Sequence, residues 1–199
     1  MRLFIFDLDG TVTKKEALPI IANHFDIKDD IESLTKETIA GNIPFIESFI
    51  RRVHILGKLP VDEINFLLEK IELYPELHLF MKSHPGQCII ATGNLDCWVK
   101  KLLAKIGCKS YASSALVEDN SVKKIISILK KEDVIKEYQK KGYEVVAIGE
   151  GNNDAEGMRI ADVSIACGIT HAPSKSVLSV ADYSVFSEKA LCKLLKHLS

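Results

Sequence analysis

No stretch of the chain stays apolar for anything near the roughly 18 residues a membrane-crossing helix needs, although 47% of its 199 residues are hydrophobic. No excess of one charge exists either. Lys and Arg number 26 against 27 Asp and Glu, a net charge of -1, and the basic residues are scattered, which argues against nucleic acid or an anionic membrane surface as a partner. Cysteine is sparse and unpaired in pattern: Cys88, Cys97, Cys108, Cys167 and Cys192 form no CxxC, an odd number with no metal-binding spacing. Such residues are expected as reduced, buried thiols. The chain starts on a short apolar run, not on a basic region followed by a long apolar one. A soluble, cytoplasmic protein is the expectation.

What is present is alternation. Short apolar runs at 2–6, 87–91, 144–148 and 162–166 have the character of strands buried on both faces, and 183–186 adds a shorter edge strand. Helix-period segments at 96–106, 132–141, 154–160 and 188–197 lie between or after them. That order predicts an α/β fold, a doubly wound parallel sheet, with ligands at the carboxyl ends of the strands. Between the first two strands lie about seventy residues with helical periodicity at 17–25, 31–40, 44–56, 61–71 and 76–83. Pro44 and Pro60 stand at helix starts, Gly41 and Gly57 at helix ends. Residues 14–82 are therefore expected to form a helical cap inserted into a core of residues 1–13 and 83–199. Trp98 and the cap phenylalanines are assigned to apolar packing, and none of the six histidines, which lack ligand spacing, receives a catalytic role.

Polar signatures follow the strands. Asp7-Leu8-Asp9-Gly10-Thr11 puts two carboxylates two residues apart at a strand end. Asp7 suits a nucleophile for phosphorus, and Asp9 an acid for the leaving alkoxide and then a base for water. A carboxylate attacking a phosphate needs cations and donors nearby. Thr92-Gly93-Asn94 offers a hydroxyl and amides that are expected to open a helix, an anion-binding arrangement; alone it reads equally as a helix cap. Lys131, at the start of a helix, offers a point charge. Gly149-Glu150-Gly151-Asn152-Asn153-Asp154 offers oxygen ligands for a hard cation such as Mg²⁺.

Together these four signatures resemble the motifs of the haloacid dehalogenase superfamily. The second aspartate, Asp9, sets the chain apart from the haloacid dehalogenases themselves. The resemblance extends through the cap to phosphoserine phosphatases. It rests there on Glu16, on Thr35-Lys36-Glu37-Thr38-Ile39-Ala40-Gly41 with Phe45, and on Glu47 to Val53, and later on Tyr111-Ala112-Ser113 and Lys131 to Ile135. It implies a metal-dependent phosphomonoester hydrolase working through an aspartyl phosphate on Asp7, acting on phosphoserine or a similar small phosphorylated metabolite. Asp7, Asp9, Glu150 and Asp154 are the implied metal ligands. Thr92 and Lys131 serve the phosphoryl group, and Glu16 and Arg52 hold the ammonium and carboxylate of the substrate beside Ile39, Phe45, Gly93, Asn94 and Asn153. Three departures stand out: DLDGT where that family has DFDST, Asn94 where it has glycine, and Glu150 where it has a metal-binding Asp. The longer Glu150 side chain leaves Mn²⁺ open beside Mg²⁺. A phosphotransferase or phosphomutase passing the group to an alcohol, and a metal-impaired regulatory homologue, are the alternatives.

Overall fold

The computed structural model describes residues 1–39 and 42–199, with the side chains of Asp30, Ile39 and Phe45 outside the described set. The apolar run Arg2–Phe6 forms β1, the middle of the sheet. β1 pairs in parallel with β2 (Cys88–Leu95) on one side, Phe4 opposite Cys88, and with β5 (Glu144–Gly149) on the other, Phe4 opposite Val146. Beyond β5 lie β6 (Val163–Cys167) and the edge strand β7 (Tyr183–Val185), both parallel.

Because a strand points alternate side chains to opposite faces, the central strands divide between two cores. Phe4, Phe6, Ile90, Val146 and Ile148 pack on one face with Trp98, Leu102 and Leu195. Leu3, Ile5, Ile89, Val145 and Ala147 pack on the other with Val134, Ile135 and Met158. The helices supplying these layers are α6 (Asp96–Ile106) and α10 (Glu188–Leu198) on the first face, and α7 (Lys131–Lys140) and α8 (Ala155–Ile160) on the second. Both faces covered is the reason the strands read as continuous apolar runs. The fold is the expected doubly wound α/β sheet.

One region differs from the sequence reading. Residues 109–127 form two further strands, β3 (Lys109–Glu118), parallel to β2, and β4 (Ser121–Ser127), antiparallel to β3. Among the described residues the sheet therefore has seven strands in the order β4-β3-β2-β1-β5-β6-β7. The hairpin turns on Asp119 and Asn120, both in the left-handed region (φ 49° and 59°). Two such residues make the turn whose twist suits paired strands, and Asp and Asn tolerate it best after glycine. The strands themselves are exposed or half-exposed along nearly their whole length and rich in Ser and Lys, so they lack the apolar run that reveals the others.

The insert carries α1 (Ala17–His24), α2 (Lys28–Ile39), α3 (Phe45–Leu56), α4 (Val61–Glu69) and α5 (Pro75–Ser83). In α3, Phe49, Arg52, Val53 and Leu56 share the buried face at i, i+3, i+4 and i+7. Arg51 lies on the opposite, exposed side in an i,i+4 pair with Glu47 at 2.5 Å. α4 and α5 lie against the core helices α6 and α10. The β3–β4 hairpin props the far side of the insert: Val61 N donates to Asn120 O (2.9 Å), and Val122 N donates to Gly57 O (2.8 Å). Phe66 departs from the expected core role of the cap phenylalanines. It is 53% exposed, beneath the Lys70 ammonium 3.8 Å from its ring centre, whereas Phe49 and Phe80 are buried. All five cysteines are free, three of them buried. Among the described residues no helix is long and apolar enough to cross a membrane.

Candidate active site

β1 ends at Phe6, and the chain turns at once through Asp7 to Thr11. Gly10 takes a left-handed conformation (φ 71°) that lets Asp7 and Asp9 remain on one side of the turn. Asp7 is buried, and its Oδ1 accepts a hydrogen bond from Lys131 Nζ at 2.5 Å. The same ammonium donates to Asp154 Oδ1. Lys131 begins α7 and Asp154 immediately precedes α8, so two helix starts and one strand end converge. Asp154 is fixed further: its Oδ2 accepts from the backbone N–H groups of Glu150 (3.0 Å) and Gly151 (2.9 Å). Glu150, at the end of β5, is buried and accepts from Thr11 Oγ1 at 2.9 Å.

Three buried carboxylates thus lie around one ammonium, which bonds two of them, and the imbalance shows in the acidities of Asp7 and Glu150. Burial, opposed by Lys131 and reinforced by Asp154 and Asp9, pushes Asp7 up to about 7. Burial and the charges of Asp7 and Asp154 hold Glu150 well above the usual carboxylate range. Burial would lower Lys131, but Asp154 and Asp7 outweigh it and keep the ammonium charged. One oxygen from each of Asp7, Glu150 and Asp154 lies within 4.8 Å of the others. An all-oxygen, charge-deficient pocket of this kind fits a hard divalent cation.

Asp9 sits beside this group with both oxygens engaged. Oδ1 accepts from Ala17 N at 2.9 Å and Oδ2 from Asn94 Nδ2 at 2.5 Å. Burial first, then the charge of Glu16, raises Asp9 to about 6, a value suited to giving and taking a proton near neutrality. Thr92 is buried, and its Oγ1 accepts from Asn94 N (3.1 Å). The expected helix N-terminus at this motif is not there. β2 continues to Leu95 with a register irregularity between Thr92 and Leu95, and α6 starts only at Asp96. The Thr92–Asn94 amides belong to a strand-end bulge, a distortion that places Asn94 on Asp9.

A pocket of about 230 Å³ opens over these strand ends. Asp7, Asp9, Thr92, Gly93, Asn94, Glu150 and Asn153 line it from the core, and Glu16, Thr35, Phe49 and Arg52 from the insert. Lys131 and Asp154 stand behind Asp7. Arg52, 8% exposed, donates from Nη2 to Thr35 Oγ1 at 3.2 Å, while its Nε has no partner among the described residues. Burial pulls the pKa of its guanidinium below the ordinary value, and the charge of Glu16 opposes that. Ile39 and Phe45, also assigned to the substrate, have side chains outside the described residues. One residue the sequence reading passed over is here too: His171 Nε2 lies 2.7 Å from Glu16 Oε1 and 4.0 Å from Glu150 Oε1. No ligand spacing marks it, because its partners are 155 and 21 positions away.

With this geometry in hand, a family model described as haloacid dehalogenase-like hydrolase matches residues 1–162. The chain belongs to that family. Among curated relatives, the phosphoserine phosphatase of Methanocaldococcus jannaschii is 26% identical over 83% of this chain and 84% of its own length. That of Archaeoglobus fulgidus is 28% identical over 98% of this chain, which spans 60% of the relative. The fold matches a solved phospho-aspartyl intermediate analogue of phosphoserine phosphatase with a TM-score of 0.80, at 22% identity, over 97% of this chain and 98% of the other. The chain is a phosphomonoester hydrolase resembling the phosphoserine phosphatases. Phosphatases of this family use a divalent metal, and the Asp7–Glu150–Asp154 group is an acidic cluster of the kind that holds one.

Proposed function

We propose that the enzyme hydrolyses a small phosphomonoester whose alcohol carries a carboxylate, with phosphoserine the reference compound, through a phosphorylated Asp7. The Asp7 carboxylate attacks phosphorus, and the P–O bond to the alcohol breaks as Asp9 gives its proton to the leaving oxygen. Asp9 then takes a proton from water, which attacks the same phosphorus, releasing inorganic phosphate and restoring the Asp7 carboxylate. Lys131 and Thr92 steady the phosphoryl oxygens. Asp7, Asp9, Glu150 and Asp154 would hold Mg²⁺, or Mn²⁺ given the longer Glu150, and the cation supplies positive charge that offsets repulsion between nucleophile and phosphate. Helices α1–α3 of the 14–82 cap enclose the alcohol end and limit water. A cytoplasmic location agrees with this role.

The observation that supports this reading most is the meeting of Asp7, Lys131, Asp154 and Glu150 under a pocket whose far wall holds a buried, under-bonded guanidinium. A buried cation of that kind is stabilised by an anionic partner, and a planar carboxylate matches its fork. The test is kcat/KM for carboxylated phosphate esters, sugar phosphates and p-nitrophenyl phosphate with added Mg²⁺ or Mn²⁺. Arg52→Ala should lower kcat/KM for the carboxylated esters by about 2–5 kcal/mol of transition-state binding and change p-nitrophenyl phosphate little. A sugar phosphate winning by a wide margin, or an equal loss on every substrate, would refute the carboxylate assignment.

A further inference from the structure

The alcohol end of the pocket has its own balance of donors and acceptors. Two lining residues bring buried N–H groups that have no partner among the described residues, Arg52 Nε and Trp98 Nε1. The carboxylate on that side, Glu16, is already engaged through Oε1 by His171 Nε2 at 2.7 Å. The other ring nitrogen, Nδ1, lies 3.2 Å from Ala172 O, so both nitrogens face acceptors. The loop carrying His171 is tethered on both sides. The Tyr74 hydroxyl donates to Ile169 O (3.1 Å), and Ser174 N donates to Glu150 O (2.8 Å). Gly10 completes the arrangement. A Cβ there would lie 3.0 Å from both Glu16 Oε1 and His171 Nε2, so Gly10 packs directly against the pair.

We propose that His171 is a specificity residue: by holding Glu16 it selects phosphate esters of hydroxy acids that have a carboxylate but no α-ammonium. This rests on the reading of Arg52 as the carboxylate's partner. A carboxylate entering this end meets donors. An ammonium meets a carboxylate whose Oε1 is already shared with an imidazole, and it faces the Arg52 guanidinium. Like charges brought together in a half-buried site oppose binding.

Phosphoserine and 3-phosphooxypropionate differ only by the α-ammonium, so they isolate the effect. For the wild type, kcat/KM should favour 3-phosphooxypropionate on the order of tenfold or more. His171→Ala should shift the ratio toward phosphoserine by a similar factor, and His171→Gln, which keeps one donor for Glu16, should fall between. The ratio cancels any effect on the phosphoryl chemistry, which both esters share, so a merely structural role for His171 leaves it unmoved. A wild type that prefers phosphoserine overturns the proposal even if His171→Ala folds poorly, and so does an unchanged ratio in a folded His171→Ala. Failure of both esters while p-nitrophenyl phosphate is hydrolysed strikes the carboxylate reading, and this inference falls with it. Failure of p-nitrophenyl phosphate as well strikes the phosphatase reading itself.

Discussion

The two ends of one pocket, proposed above to take the phosphate and the alcohol, are held in different ways. At the end over Asp7 the charged groups are tied to one another and to the backbone: Lys131 bridges Asp7 and Asp154, Asp154 also takes two backbone N–H groups, and Glu150 accepts from Thr11. Those groups are buried and come from core elements, a strand end, a strand-to-helix turn and a helix start. At the alcohol end Arg52 keeps one bond at 3.2 Å, and Glu16 is tied to a half-exposed His171. Fixed charges at the core end lower the reorganisation that phosphoryl transfer needs. Loosely bonded groups on the helical insert would leave recognition, as proposed, open to change without disturbing that chemistry.

The largest effect should come from unbalancing the phosphate end. EDTA should remove activity, and added Mg²⁺ or Mn²⁺ should restore it and raise the melting temperature of the wild type, since a ligand bound only to the native state stabilises it. Glu150→Ala should need far more metal for half-maximal activity. In EDTA its melting temperature should stay level or rise, because a buried carboxylate repelled by Asp7 and Asp154 is gone. Undiminished activity in EDTA, or unchanged metal dependence in Glu150→Ala, would contradict the assignment.

A middle-sized effect is expected where the two ends meet. Asn94 donates to Asp9 at 2.5 Å, so Asn94→Ala should lower kcat about tenfold, a misplacement of the acid–base group and not its loss. Its effect should be equal for esters with and without a carboxylate. An unequal effect would move Asn94 to the alcohol end.

The smallest effect belongs to the prop beneath the cap. Asn120 has φ 59°, and its Oδ1 accepts from Asp62 N at 3.0 Å. Asn120→Ala should cost about 1–2 kcal/mol in denaturant unfolding while leaving kcat/KM within about twofold, because the residue touches neither end of the pocket. A large loss of activity with intact stability would mean the hairpin governs cap closure.

Much of the core end is legible in sequence because each group stands at a fixed offset from an apolar strand: Asp7 follows β1, and Glu150 follows β5. The bulge at Thr92–Asn94 is not, since a helix cap and a distorted strand end use the same residue types. The β3–β4 hairpin escapes because its largely exposed strands carry Ser and Lys where a buried strand would carry Val and Ile; the signal that would have found it is the Asp119-Asn120 pair between Val117 and Val122. Arg52 differs from Arg51 only by its place on the face of α3. His171 is legible only in three dimensions, where Gly10, Glu16 and a loop after β6 come together.

The covalent step proposed at Asp7 carries the rest. Acid-quenching the enzyme during turnover of a radiolabelled substrate should leave one phosphoryl group on the peptide containing Asp7, labile to hydroxylamine as an acyl phosphate is. Asp7→Asn, folded to the same melting profile, should show neither label nor turnover. Steady turnover by Asp7→Asn, or label retained on another residue, would contradict phosphoryl transfer through Asp7.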